Sequence, residues 1–349
     1  MTSWGQRSNV DRVTRSCYRP ANMSSCRPVS LRNRYFVYGL AVESELEFAS
    51  IDIAGDTAGP EDRNAAPTIR IALREPEYFR ARTAALSFDP DDWIKHAVLA
   101  DGGVYVRAGD VFEATVSPDG LEARCAGIGA SDLRSVEANL LNFVLSAALT
   151  LHGEEPLHST VVEIGGRAIG LLGPSGAGKS TLAASLIARG GELVTDDMLR
   201  VTFDGQRPLA HAGPYRLKLF DEPARLLLPG AVAQGHFNAV SGKIMMQPRA
   251  PGRTGSRRAW PLAMLFWIGD EPASEEAGVR VKRLAGTDLA KVLLSSAMNI
   301  RYQTIDRLAR QMAFAERLAA CVPVHRLRYP RRFDIAEAVV DTIHRMVDA

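Results

Sequence analysis

Residues 173–180 of the chain are Gly173-Pro174-Ser175-Gly176-Ala177-Gly178-Lys179-Ser180. This stretch matches the pattern G-x-x-x-x-G-K-[ST], in which glycines let backbone N–H groups turn toward phosphate oxygens. An apolar run ends at Leu172 just before it, and an apolar run with helix-forming residues begins at Thr181. This context predicts a phosphate-binding loop between a strand and a helix. We expect the nucleotide-binding residues to be the eight quoted above together with Thr181.

On both sides of the loop, the sequence pattern is that of an α/β domain. Residues 160–164 and 168–172 predict two strands joined at Gly165-Gly166. A helix over 181–189 and a strand over 192–195 follow, which together form a βαβ unit and imply parallel neighbours in the sheet. Further along, the chain predicts helices near 286–297 and 302–320, a strand over 324–327 and a last helix from Asp334.

Upstream of the loop, short alternating apolar runs are separated by Gly-Asp and Pro-Asp-Gly turns. We therefore predict a P-loop α/β catalytic domain over 154–349, preceded by a small, mostly antiparallel β domain over 35–130. A connecting helix over 131–153 joins the two, with Ser131-Asp132 as its N-cap.

The charge of the chain is unevenly spread. The 349 residues carry a net charge of +2. Residues 1–34 contain seven arginines and one acidic residue, so this tail is +6 and the rest of the chain is −4. We expect a disordered extension, with an Arg-rich transit peptide as the alternative. A mildly acidic body does not point to nucleic acid as a partner.

Two further observations concern the cellular setting. The longest apolar stretch, 140–151, is shorter than the ~20 residues that a membrane span requires. The four cysteines are scattered along the chain and form no C-x-x-C pair, which favours free thiols in a reducing cytosol. We therefore predict a cytoplasmic protein with no membrane partner.

An acidic pair, Asp196-Asp197, follows the strand that comes after the loop helix. Carboxylates at the carboxyl end of a strand face the ligand crevice of an α/β sheet. One can hold Mg²⁺ and the other can accept a proton from an attacking hydroxyl. The alternative is a turn with two solvated side chains. His158, just before the strand that precedes the loop, is either an acid–base or phosphate-binding group or a strand-edge histidine bonded to a carbonyl.

Some basic residues carry weaker signals. The chain has six lysines against 36 arginines. Lys218 and Lys243 lie near the predicted catalytic loops, and we expect them to be surface lysines, with contact to the γ-phosphate or substrate as the alternative. Arg249, Arg253, Arg257 and Arg258 lie in a Pro/Gly-rich stretch, 247–258, that fits either a mobile substrate loop or an exposed linker.

These residues together resemble the catalytic domain of bacterial HPr serine kinase/phosphorylase. Order and spacing agree from about 157 to 201. The motifs that carry the resemblance are Leu157-His158-Ser159, Gly173 to Ser180, Arg189-Gly190 and Val194-Thr195-Asp196-Asp197. Residues 38–46 and 322–327 look like segments of HPr kinase-related proteins, some of which phosphorylate lasso-peptide precursors on serine.

The resemblance implies a catalytic fold related to phosphoenolpyruvate carboxykinase, with ATP and Mg²⁺ as nucleotide and metal. It implies that Lys179 and Ser180 bind phosphates and Mg²⁺, and that Asp196 supports the metal. It also implies that Asp197 is the base that takes the serine proton and that His158 belongs to the active site.

In two places the chain departs from that family. The element L-E-x-R-G-x-G is replaced by Tyr215-Arg216-Leu217-Lys218-Leu219-Phe220-Asp221-Glu222, and the N-terminal region differs. The resemblance therefore does not extend to HPr as the acceptor or to phosphorylase activity. Glu222 is either a second metal ligand or a helix-start carboxylate.

The sequence thus predicts an ATP-dependent serine kinase that acts on a peptide or protein docked on the β domain. Two alternatives stay open: a kinase for a small-molecule hydroxyl, and a nucleotide-dependent binding module or ATPase without an acceptor. The first differs in having an enclosed pocket at Asp197, and the second requires a residue that orients water. A homo-oligomer is compatible with the resemblance.

Overall fold

The computed structural model describes residues 33–51, 67–128, 133–238, 241–248, 259–269 and 278–348. Nearly all of the basic tail, the predicted N-cap Ser131-Asp132 and the arginine cluster at 249–258 lie outside these residues. Leu31–Ala349 forms one compact unit.

The first part of the chain forms a seven-stranded sheet with the order β1-β2-β3-β7-β6-β5-β4. Its strands are β1 (Asn33–Val37), β2 (Leu40–Ser44), β3 (Thr68–Leu73), β4 (Ile94–Val98), β5 (Val104–Ala108), β6 (Phe112–Val116) and β7 (Glu122–Gly127). Pairing is antiparallel except at β2–β3 and β3–β7, which are parallel. The prediction of mostly antiparallel strands is confirmed.

The hairpin β1–β2 turns at Tyr38-Gly39, where both residues have positive φ (54° and 69°). This is the geometry of a two-residue hairpin turn that matches the twist of the strands. Gly39 suits it because glycine has no Cβ to resist the left-handed conformation.

The helices are α1 (Pro76–Thr83), α2 (Leu133–Leu151), α3 (Lys179–Ala188), α4 (Asp221–Leu227), α5 (Pro229–Val232), α6 (Gly286–Ser295), α7 (Ile305–Cys321) and α8 (Ala336–Asp348). A short 3₁₀ turn, Phe333–Ile335, precedes α8. Helix α2 is the predicted connecting helix. Its Leu140, Leu141 and Val144 are fully buried in one core with residues of the seven-stranded sheet, because its apolar residues recur at helical spacing.

The second sheet has eight strands and carries the loop. Its main order is β10-β8-β9-β16-β12-β11, and β18 lies beside β16 with β17 at its other side. The strands are β8 (Ser159–Ile164), β9 (Arg167–Leu172), β10 (Glu192–Thr195), β11 (Val201–Asp204), β12 (Arg207–His211), β16 (Ala259–Ile268), β17 (Arg280–Arg283) and β18 (Val324–Arg328).

The predicted βαβ unit is present, but its two strands are not adjacent. Strand β8 lies between β9 and β10 and pairs antiparallel with both, because the tight hairpin at Gly165-Gly166 places it on that side of β9. The parallel neighbour of β9 is β16, which comes from much later in the chain. The carboxyl ends of β9 and β10 still point to the same edge of the sheet.

A third, small sheet has the order β13-β15-β14 and consists of β13 (Leu217–Leu219), β14 (His236–Asn238) and β15 (Lys243–Met246). Leu217 and Leu219 on β13 are buried and share a core with Leu182 and Leu186 of α3. Apolar packing therefore holds the small sheet next to the helix that follows the loop.

Two remaining observations bear on the cellular predictions. Within the ranges that the structure describes, no helix is both long and apolar enough to cross a membrane. Cys125 and Cys321 are free thiols, while Cys17 and Cys26 lie outside the described residues.

Candidate active site

The loop 173–180 connects β9 to α3, as the sequence predicts. Gly173 has φ of 150°, and a Cβ at this position would lie 2.4 Å from the carbonyl oxygen of Ile268 on β16. Only glycine allows so close an approach of two backbones. Lys179 and Ser180 begin α3, so the positive end of the helix faces the loop.

The Lys179 side chain is folded into the loop. Its ammonium donates to the carbonyl oxygens of Gly173, at 2.8 Å, and Pro174, at 2.9 Å. The residue is buried, and burial lowers its pKa while the charges of Asp196 and Asp197 oppose the shift. An ammonium held inside the curve of the loop is suited to meet phosphate charge there.

Asp196 lies behind the start of α3 and is buried. Its Oδ1 accepts hydrogen bonds from the hydroxyls of Thr160 (2.7 Å) and Ser180 (3.2 Å). Its Oδ2 accepts the backbone N–H of Lys218 at 3.1 Å. Burial, followed by the neighbouring charge of Asp197, raises the pKa of Asp196. The structure thus brings together the two residues expected to support a metal.

The Ser180–Asp196 pair has the ligand chemistry that suits Mg²⁺. The ion prefers oxygen ligands and is commonly held by one or two carboxylates together with substrate phosphates. One hydroxyl and one carboxylate in contact at the end of the loop meet that requirement. No group of three or more His, Cys, Asp or Glu side chains that could hold a metal occurs among the described residues, so the nucleotide would have to complete the set.

Asp197 differs from Asp196 in its backbone conformation and in the residue that its carboxylate contacts. Its φ is 73°, in the left-handed region that is strained for most residues and that often marks functional sites. Its carboxylate forms an ion pair with the ammonium of Lys218. Burial acts to raise the pKa of Asp197, but Lys218, with smaller contributions from His158 and Arg216, lowers it to about 2. The group is therefore an ionised carboxylate, the form that a proton acceptor needs.

His158 lies beside this group. Its backbone N–H donates to the carbonyl oxygen of Ser296 at 2.7 Å, which fixes the residue before β8. Burial, together with the positive charges of Lys179, Lys218 and Lys243, lowers the pKa of His158 to about 4, while Asp197 opposes the shift. The imidazole is therefore neutral near pH 7. Whether it takes part in the reaction stays a prediction.

Lys218 corrects the expectation from sequence. It is not a surface lysine but a largely buried one, with 19% of its side chain exposed, in an ion pair with Asp197. Its alternation with buried Leu217 and Leu219 and the scarcity of lysine were the signals that could have found it. Lys243 is half-buried on β15, with its ammonium 5.2 Å from the centre of the Phe220 ring. Glu222 lies exposed in the first turn of α4, the position of a helix-start carboxylate.

The β1–β2 turn, the segment after β2 and helix α2 contact residues next to the site. Thr195, just before the acidic pair, donates its hydroxyl to the Tyr38 hydroxyl at 3.3 Å. Arg216, two residues before Lys218, donates to the Ser50 hydroxyl (3.0 Å) and to the carbonyl oxygen of Ala138 (2.8 Å). The position of the acidic pair and of β13 thus depends on both parts of the chain.

A cleft of about 210 Å³ opens between these parts. Ser50 and Glu137 line one side, and Arg216, Met245 and Gln247 line the other. Met245 is the cross-strand partner of Lys218, so both side chains lie on the same face of the small sheet. Two residues that line the cleft, Arg216 and Met245, are thus close to Lys218 along the chain and across the small sheet.

The geometry thus brings together the loop 173–180, the buried carboxylate of Asp196 and the ionised carboxylate of Asp197. Comparison with known proteins finds a family that spans these residues. Residues 150–222, which contain the loop and the acidic pair, match the family described as HPr Serine kinase C-terminal domain.

Curated relatives carry the same name. The chain is 27% identical to the HPr kinase/phosphorylase of an Exiguobacterium species over 194 residues, covering 54% of this chain and 60% of that protein. It is 26% identical to the HPr kinase/phosphorylase of Limosilactobacillus reuteri over 175 residues, covering 48% and 52%. The chain spans about half the length of the curated relatives it matches.

A solved structure titled as the Hpr(Ser) kinase/phosphatase from Coxiella burnetii also matches, with a TM-score of 0.28 and 11% identity, covering 55% of this chain and 97% of that one. The family match over residues 150–222 and the curated relatives show that this chain is related to HPr kinases.

Proposed function

We propose that this chain is an ATP-dependent kinase that transfers the γ-phosphate of ATP to a serine hydroxyl of a peptide or protein. One observation carries the proposal: the loop lysine, the Ser180–Asp196 pair and the ionised Asp197 meet at one edge of the second sheet. Each of these groups has a separate task in phosphoryl transfer.

The loop side would hold the nucleotide. Backbone N–H groups of 173–180 and the start of α3 would bind the phosphates, and the Lys179 ammonium would neutralise their charge. Ser180 and Asp196 would hold Mg²⁺, which when bound supplies further neutralisation of phosphate charge.

The chemical step would run through Asp197. The serine hydroxyl gives its proton to the Asp197 carboxylate while its oxygen forms a bond to the γ-phosphorus. The bond from that phosphorus to the bridging oxygen breaks, and its electron pair leaves with ADP. His158, neutral near pH 7, would contribute hydrogen bonding rather than charge.

The acceptor would approach from the cleft between Ser50 and Met245, so that the seven-stranded sheet and α2 help to bind it. The name of the relatives, HPr kinase/phosphorylase, describes enzymes whose acceptor is the protein HPr, and this supports a protein or peptide acceptor here. A cytoplasmic location fits such an enzyme and stays a prediction.

The test is phosphate transfer from γ-labelled ATP and Mg²⁺ to serine peptides, including peptides encoded beside the gene for this chain. The matched control replaces the acceptor serine with alanine. We expect label in the serine peptide, none in the alanine peptide, and one ADP for each phosphate transferred.

Other outcomes would support the alternative functions. ADP release with label only in free phosphate would indicate an ATPase. Label in a small hydroxyl compound, with all peptides unlabelled, would indicate a small-molecule kinase. Either result would overturn the proposed acceptor.

A further inference from the structure

Strand β13 is fixed against the acidic pair by its backbone. The N–H of Lys218 donates to Asp196, and Leu217 and Leu219 on either side are buried in the core beneath α3. These contacts do not involve the Lys218 side chain. The strand therefore presents that side chain at a fixed point, whatever residue stands at position 218.

The lysines around the acidic pair outnumber its two carboxylates. Lys218 forms an ion pair with Asp197, Lys179 lies in the loop, and Lys243 is near enough for its charge to lower the pKa of both Lys179 and His158. Three of the chain's six lysines thus lie around the acidic pair, and Lys218 is the one in an ion pair with Asp197. Clustered like charges are costly unless an anionic ligand joins them, which points to a polyanion such as a nucleotide triphosphate.

The ion pair also sets a requirement for the reaction. The Asp197 carboxylate that contacts Lys218 is the group that must accept the serine proton. An ammonium seated on it competes with that hydroxyl for the same oxygens. Lys218 is 19% exposed on a flexible four-carbon side chain, so it can turn from Asp197 without movement of β13.

We propose that Lys218 is a catalytic residue that moves from Asp197 to an oxygen of the transferred phosphoryl group. This inference rests on the function proposed above. In the transfer, the ammonium keeps its proton and neutralises charge on the phosphoryl oxygens. The serine proton goes to Asp197, the serine oxygen bonds to phosphorus, and the leaving electron pair goes to ADP.

The test uses ADP with aluminium fluoride, which imitates the phosphoryl group in transfer, and compares its binding with that of ADP alone. We expect Lys218→Met to weaken binding of ADP–aluminium fluoride by about 100-fold, the usual loss when one donor to a transition state is removed. Binding of ADP alone should stay within about threefold of wild type, since Lys218 contacts no part of ADP in this arrangement. Lys218→Arg, which keeps a cation, should recover at least about tenfold of the loss.

Two controls separate this role from a structural one. Lys282→Met removes an exposed lysine on β17 and should leave both affinities unchanged. Combining Lys218→Met with Asp197→Asn distinguishes action on the phosphoryl group from action through Asp197. In the proposal, Lys218→Met still weakens aluminium fluoride binding when residue 197 is Asn.

Equal binding of ADP–aluminium fluoride by wild type and Lys218→Met would overturn the inference, as would a loss that disappears in the Asp197→Asn background. If Lys218→Met does not fold, the same comparison is made with Lys218→Gln, where a loss of about 100-fold for ADP–aluminium fluoride with native ADP affinity supports the role and equal binding of the analogue counts against it. Failure of the proposed function looks different, because wild type would then bind the analogue and label no serine peptide.

Discussion

The loop 173–180 and strand β13 contact different oxygens of Asp196, and different forces place them there. Ser180 of the loop reaches Oδ1, while the backbone N–H of Lys218 on β13 reaches Oδ2. The loop is a run of eight consecutive residues whose shape follows from its glycines and from the start of α3. Strand β13 is placed by pairing with β15 and by packing beneath α3.

This contrast indicates how substitutions in the loop and substitutions on β13 should differ in their effects. In the proposed function, a substitution in the loop would act directly on the contacts with phosphate. On the β13 side, backbone bonds keep the strand in position, so a side chain there can be exchanged while the frame is retained. We therefore expect variants of the loop side to lose nucleotide binding, and variants of the Asp197–Lys218 side to lose transfer while nucleotide binding persists.

The largest expected effect is on the loop side. Lys179→Ala removes the ammonium that would meet the β- and γ-phosphates. We expect ATP affinity to fall by at least about 100-fold and transfer to become undetectable, as measured by calorimetry and by label transfer. Lys282→Ala, on exposed β17, is the control. Wild-type ATP affinity in Lys179→Ala would contradict the assignment of the loop.

The next largest effect concerns Asp196, whose carboxylate contacts both the loop and β13. Asp196→Asn keeps the size of the side chain but removes the charge that would hold Mg²⁺. We expect Mg²⁺ to strengthen ATP binding about tenfold less in this variant than in wild type, while binding without Mg²⁺ changes little. The measurement is ATP affinity over a Mg²⁺ titration. Equal strengthening in both proteins would exclude Asp196 as the metal ligand.

The smallest expected effect is on the pKa of His158, measured in one variant from the loop side and one from the β13 side. Both Lys179 and Lys218 lower its pKa, and Lys179 contributes more. We expect its pKa of about 4 to rise toward 6.5 in Lys179→Ala and to rise less in Lys218→Met, as followed by NMR titration of the ring. Because the unfolded chain binds this proton near pH 6.5 and the folded chain only near 4, His158 should reduce stability as pH falls between these values. A larger rise of the His158 pKa in Lys218→Met than in Lys179→Ala would contradict this prediction.

The sequence could predict the loop side of the site better than the β13 side. The loop, helix α3 and the acidic pair depend on neighbours in the chain, so their residue types and spacing predicted them. The helices near 286–297 and 302–320 are confirmed as α6 and α7 for the same reason, since a helical period is a local signal.

Contacts between distant segments were not predictable in this way. The neighbour of β9 is β16 rather than β10, because the hairpin places β8 in between. The site of Lys218 depends on β13 pairing with β15, a segment more than twenty residues further along. The alternation with Leu217 and Leu219 places Lys218 on a strand, but its contact with Asp197 depends on that distant pairing and is seen only in the structure.

In the proposed function, one site binds ATP on the loop and deprotonates a serine with Asp197. The decisive measurement compares ATP affinity and label transfer to a serine peptide side by side in wild type and Asp197→Asn. We predict that ATP affinity stays within about threefold while transfer falls by at least about 100-fold, the usual contribution of a general base. Undiminished transfer by Asp197→Asn would contradict the account.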